Sequence, residues 1–337
     1  MALCQLLPGP ASSQVGLTIG FLRGHYRGAF AAWLGFTLPS ALIMISFALG
    51  LSAWPEAGSG GWIHGLKLFV VTVVAQAVWQ MGRTLCPDRP RIAMALLVAV
   101  SLLIIGETWM QILALAIAGA VGSVMQLGSS AASEPLQVPL QSRKPALFAV
   151  AFAVLLLVSF LPQAIGSLGW IAAEMYRAGA LVFGGGHVVL PWLQEGFVAS
   201  GAMAADTFLA GYGVAQAMPG PLFSFSGFLG GSQAGAIGGV VAVIAVFLPG
   251  TLLVFAGLPL WSWLREHRRA RSALAGVNAG VVGLLLAALY DPVWTSAVHS
   301  ALDLGLVLVL WLCLAVWRVP VWLLAPLSAL GGVILLP

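Results

Sequence analysis

One short polar pattern occurs twice in an otherwise apolar chain. Gln-x-x-Pro-Gly-Pro reads Gln5, Pro8, Gly9, Pro10 and again Gln216, Pro219, Gly220, Pro221. Proline has no backbone donor and its ring clashes with the preceding turn, so a helix cannot run straight through either copy. A helix that restarts after such a break exposes its first free amides, and its dipole favours an anion there. The residues just after the breaks are Ser12, Ser13 and Gln14 in one copy and Ser224 and Ser226 in the other. Hydroxyls add neutral donors without a full charge. A third stretch reads Gly184-Gly185-Gly186-His187. Its glycines permit positive φ and could form a nest of amides. His187 could carry a coupling proton or a switchable positive charge. Gln5 and Gln216 could each donate to an anion or cap a broken-helix carbonyl. Plainer readings stand beside these. The breaks could be kinks that let helices cross closely, the glycines tight packing, and the histidine a hydrogen-bonded spacer.

The elements that must position these groups are membrane spans. The 337 residues are 61% hydrophobic and 7% charged, where a soluble domain carries about 25% charge. The fold class is therefore all-α and polytopic, with the lipid bilayer as its first partner. Broken helices at that depth are tolerated only inside protein or along a polar cavity. The net charge of +4 comes from short basic loops and implies no nucleic acid. Cys4, Cys86 and Cys313 are scattered, which suggests neither a disulfide scaffold nor a metal cluster. No cofactor signature and no Walker A pattern is present, so neither an enzyme nor an ATP-driven pump is expected. Residues 128–144 read as a cytoplasmic linker between two halves, 1–127 and 145–337. Val293 to Val316 reads as one span, placing Asp303 inside it and on one helix face with His299.

The halves match at several points. The Gln and Pro-Gly-Pro residues repeat at an offset of 211, and F-T-L-P at 36–39 answers V-F-L-P at 246–249 at 210. Arg23 and Arg27 precede the 28–53 span, whereas Arg265 to Arg271 follow the matching 234–258 span. Basic residues favour the cytoplasmic side, so the matched spans run in opposite directions. That predicts two inverted-topology repeats with the site at their interface. Residues 170–215, with the glycine run, precede Gln216, whereas four residues precede Gln5. The first repeat is thus expected to lack one N-terminal element. An apolar groove should mark its place, open to a partner helix or a second copy in a homodimer.

These residues resemble the chromate ion transporter family, bacterial inner-membrane proteins of two related halves. The resemblance rests on A-L-C-Q-L-L-P-G-P-A-S-S-Q at 2–14, A-A-W-L-G-F-T-L-P at 31–39, G-A-L-V-F-G-G-G-H-V-V-L-P at 179–191 and G-Y-G-V-A-Q-A-M-P-G-P at 211–221. It implies a multi-pass inner-membrane secondary transporter that exports chromate, with sulfate as the isosteric oxyanion. Alternatives are an anion channel of the same fold, or an incomplete family member that needs a partner chain.

Overall fold

The computed structural model describes residues 8–53, 60–106, 108–127, 144–182 and 186–335, with the backbone alone at 144 and 258–266. Gln5, Gly184, Gly185 and most of the 128–144 linker lie outside the described residues. Among the described residues twelve α-helices follow one another: α1 (Ala11–Ala53), α2 (Gly61–Leu85), α3 (Arg89–Ile105), α4 (Thr108–Val124), α5 (Lys144–Ser159), α6 (Leu168–Leu181), α7 (Val189–Gln194), α8 (Ala205–Ala217), α9 (Phe225–Glu266), α10 (Arg268–Ala288), α11 (Ala301–Trp311) and α12 (Val321–Leu335). Among the described residues four stretches are long and apolar enough to cross a membrane: Ala11–Ala53, Gly61–Leu85, Leu222–Gly257 and Arg268–Trp294. The protein is a multi-pass, all-α membrane protein.

The two longest helices are hairpins. Helical geometry is lost at Gly24 and His25 in α1, and at Ala234 and Gly235 in α9. A Cβ on Gly20 would lie 2.4 Å from the Gly28 carbonyl oxygen. In a straight helix those residues stand about 12 Å apart, so the chain has folded back. Gly230 meets Gly238 in the same way, with its added Cβ 2.2 Å from that carbonyl oxygen. Both the turns and the touching glycines recur at an offset of 210 residues. Arg23 and Arg27 flank the first turn, which the sequence reading had placed in a loop between separate elements. No proline marks either turn. A left-handed residue makes each one, His25 at φ 50° and Gly235 at φ 63°.

The hairpins pack on each other through aromatic and small side chains. Phe255 touches Phe21 and Tyr26, with ring centroids 5.3 and 5.1 Å apart. Buried rings of Phe208, Tyr212, Phe223, Phe225 and Phe228 continue this core between α8 and α9. Several other helices are short. α6 and α8 have 14 and 13 residues, about 20 Å each, and cannot alone cross a core of about 30 Å. Ile104 on α3 and Ile334 on α12 are 79% and 73% exposed, which suits contact with lipid.

Charge separates the ends of α2. Arg83 lies in its last turn, near the link to α3 where Asp88 pairs with Arg91 at 3.2 Å. At its start, Lys67 pairs with Asp206 at 2.8 Å and His64 with Asp303 at 2.7 Å. The expected Val293–Val316 span is interrupted. A π-helical turn containing Pro292 closes α10, and α11 begins only at Ala301. Ser300 and Asp303 form a capping box at that start, each side chain bonding the other's backbone amide. His299 therefore lies outside the helix and shares no helical face with Asp303. Its backbone N–H donates to Asp303 Oδ2 at 3.0 Å.

Candidate anion site at the helix breaks

The site is built from chain ends that stop inside the bundle. α8 ends at Ala217, Met218 leaves helical geometry, and the chain turns helical again at Leu222. Pro219 and Gly220 stay exposed at this break while Pro221 is buried. Gly220 has φ 148°, and a Cβ there would lie 2.5 Å from Ser40 Oγ. The first break is buried at Gly9 and Pro10. Gly9 has φ 112°, its N–H donates to the Val182 carbonyl at 2.7 Å, and a Cβ would lie 3.2 Å from Gly250 Cα. Pro8 contributes its carbonyl, which accepts from Gln14 Nε2 at 2.7 Å.

These contacts are reciprocal. Gly9 packs on Gly250, which follows Pro249. Gly220 packs on Ser40, which follows Pro39. Ser40 and Gly250 are themselves 210 residues apart.

Described residues on either side of the glycine run reach the two breaks. Val182, just before it, bonds Gly9 at the first break. Gly186, just after Gly185, faces Leu222 at the second, where an added Cβ would lie 3.4 Å from the Leu222 Cβ. Val182 and Gly186 are four residues apart, so at most about 14 Å of chain separates them. The described parts of the three motifs thus lie in one region.

Polar groups there are neutral. Ser13 and Ser226 are 4% and 0% exposed. Their hydroxyls, and the buried hydroxyl of Thr37, have no partner among the described residues. Buried hydroxyls ordinarily have one, which sets these three apart. Gln14 Oε1 is likewise unpaired, but it only accepts and offers an anion nothing. Ser12 is exposed. Ser224 Oγ donates to the Pro221 carbonyl at 2.7 Å, so its hydroxyl is committed to the helix start. His187 Nδ1 lies 3.1 Å from both Tyr212 Oη and Gln216 Nε2. Gln216, Met218 and Pro219 line a cavity of about 840 Å³ that reaches Trp322 and Pro326 on α12. Arg177 is occupied elsewhere, by Glu174 and by the Ser159 carbonyl at 2.6 Å.

Sequence reasoning missed Tyr212, Ser40, Gly250 and Val182. Tyr212 stands four residues before Gln216, on the same helical face, and that spacing was legible. Ser40 and Gly250 each follow a matched proline. Nothing local marked Val182. Among the described residues no group of three His, Cys, Asp or Glu is placed to hold a metal ion.

The class of protein defined by this fold is a multi-spanning helical membrane protein whose helices are interrupted inside the bundle. The signature of the family described as "Chromate transporter" matches residues 1–123 and 169–334. The chain belongs to that family. It is 28% identical to the "Chromate transport protein" of Pseudomonas aeruginosa over 293 residues, 86% of this chain and 70% of that one. The "Probable chromate transport protein" of Synechococcus elongatus is 28% identical over 294 residues, 86% and 72% of the two chains. The "Chromate transport protein" of Cupriavidus metallidurans is 28% identical over 321 residues, 90% and 73%. No solved structure matches.

Proposed function

We propose that the protein is a secondary transporter in the inner membrane that exports chromate, with sulfate as a competing oxyanion. The anion sits between the helix ends that restart after the two breaks. The observation that carries this reading is the pair Val182 and Gly186, of which the first bonds Gly9 at one break and the second lies against Leu222 at the other. A tetrahedral dianion taken from water needs several donors. Free helix amides, the hydroxyls of Ser13, Thr37 and Ser226, and the Gly184–Gly186 backbone offer them without a fixed charge. Ser12 and Ser224 from the sequence reading take a lesser part in this arrangement. Gln5 lies outside the described residues, and Ser12 and Ser224 are turned outward and self-bonded respectively.

Everted membrane vesicles that contain the protein are expected to accumulate chromate when energised, with sulfate competing. Pro219→Ala should let α8 continue and withdraw the freed amides, reducing uptake about tenfold or more at matched protein level. Energised vesicles that take up neither anion above a control would refute the transporter reading. Uptake that never exceeds the electrochemical gradient would make the protein a channel.

The halves are proposed to be inverted repeats, 1–127 and 145–337. Supporting this are the family match in two stretches, the hairpins repeated at one offset and the reciprocal Gly9–Gly250 and Gly220–Ser40 contacts. Reciprocity of this kind is the mark of a two-fold relation. Basic residues at the first hairpin turn and their absence from the second put the two turns on opposite sides. A cysteine replacing His25 should then react with an impermeant maleimide only from the cytoplasmic side, and one replacing Gly235 only from the outer side. Labelling of both from one side rules out the inversion.

A further inference from the structure

His187 has both its recorded partners at one ring nitrogen. Nδ1 lies 3.1 Å from Tyr212 Oη and 3.1 Å from Gln216 Nε2. An amide nitrogen only donates, so Nδ1 must accept and carries no proton. The single proton of a neutral imidazole then sits on Nε2, at the other edge of the ring. The Tyr212 hydroxyl lies within hydrogen-bonding distance of the same Nδ1 and can share its lone pair as a second donor. Tyr212 and Gln216 are four residues apart on α8 and so present one face to the histidine. The Tyr212 side chain cannot swing away. It is 0% exposed, and its ring is held edge-on against Phe225 with centroids 5.5 Å apart.

We propose that Tyr212 and Gln216 are positioning residues that lock His187 in its Nε2–H tautomer, so that it serves the oxyanion site as a neutral N–H donor. The donor role rests on the reading of the site above; the lock itself rests on the geometry alone. A neutral donor has a physical advantage in a transport site. When the anion leaves, no uncompensated cation stays buried. Protonation of Nδ1 would set that nitrogen's new N–H against the Gln216 amide and forfeit that hydrogen bond, and the Tyr212 hydroxyl would have to turn round to accept. The turn that carries His187 packs against α7, α8, α10 and Leu222–Ser224. From these, among the described residues, Tyr212 is the titratable group within hydrogen-bonding distance. Arg177 is engaged with Glu174 and the Ser159 carbonyl.

The test is nitrogen NMR of the full chain in lipid nanodiscs with ¹⁵N-labelled histidine. His187→Gln identifies the resonances of this residue by their loss. The expected spectrum shows an unprotonated Nδ1 and a protonated Nε2 throughout neutral pH, and added sulfate shifts the Nε2 signal. Combining Tyr212→Phe with Gln216→Leu should release a mixture of tautomers. Gln216→Glu should draw the proton onto Nδ1, because a carboxylate only accepts. A wild-type Nδ1 that is already protonated, or a tautomer unmoved by these variants, overturns the lock. In vesicles, His187→Gln, which keeps a neutral N–H near the Nε2 position, should lose less uptake than His187→Leu. His187→Leu should lose about tenfold to a hundredfold in apparent affinity. Equal uptake by the leucine variant overturns the donor role. If the wild type moves neither anion, the transporter reading fails, and the NMR result still decides the lock.

Discussion

Gly220→Ala is expected to abolish most transport, and Ser40→Gly to restore a large part of it. The added methyl would stand 2.5 Å from Ser40 Oγ and 2.7 Å from Ser40 Cβ. Overpacking of that kind costs about 1–3 kcal/mol. A left-handed φ of 148° adds about 1 kcal/mol or more for any residue with a Cβ. The break must shift, and with it the amides of the restarting helix. Deleting the Ser40 side chain removes the overlap and leaves only the backbone strain. It also makes position 40 match its counterpart Gly250. Gly9→Ala should be as damaging but without an equivalent suppressor, because one obstacle is Gly250 Cα itself at 3.2 Å. Initial uptake rates in vesicles at matched expression measure all four variants. A Gly220→Ala protein with normal uptake, or a double variant no better than the single, would show that this contact does not position the site.

The second large effect concerns folding. Gly238→Val and Gly28→Val should each prevent accumulation of properly folded protein. A Cβ at Gly238 would lie 2.3 Å from the Gly230 carbonyl oxygen, and one at Gly28 would lie 2.2 Å from that of Gly20. Backbone atoms cannot rotate away as a side chain can, so the limbs of each hairpin must separate. The loss extends over the packed face between them, several kcal/mol in all. Gly35→Ala and Gly50→Ala are the controls, since a Cβ at either meets nothing within 4 Å. Alanine in those exposed helical positions should be neutral or stabilise by about 0.5–1 kcal/mol. Size-exclusion profiles and thermal unfolding in detergent separate the two groups. Wild-type profiles for both valine variants would mean the hairpins are held by something other than this contact.

Composition alone determined that this is a multi-pass helical membrane protein, because so few charges cannot cover a soluble surface. Proline chemistry located the break between Ala217 and Leu222, since a residue without an N–H interrupts a helix wherever it falls in the chain. The repeated spacing of Pro-Gly-Pro, and of Pro39 and Pro249, was legible, but not that the residues following those two prolines, Ser40 and Gly250, lie against the breaks. The hairpin turns at Gly24–His25 and Ala234–Gly235 were not legible as such. Neither contains a proline, and the apolar pattern continues through both at helical period. The role of Asp303 was misread for a similar reason. Its position suggested a carboxylate inside a span, but Ser300 and Asp303 cap a helix that starts there. The meeting of Val182 with Gly9, and of Gly220 with Ser40, was decided only by the tertiary structure. Local sequence sets where backbone amides are freed. Which freed ends come together depends on the close approach of small residues about 170 to 240 positions apart, and such long-range packing leaves no local pattern to read.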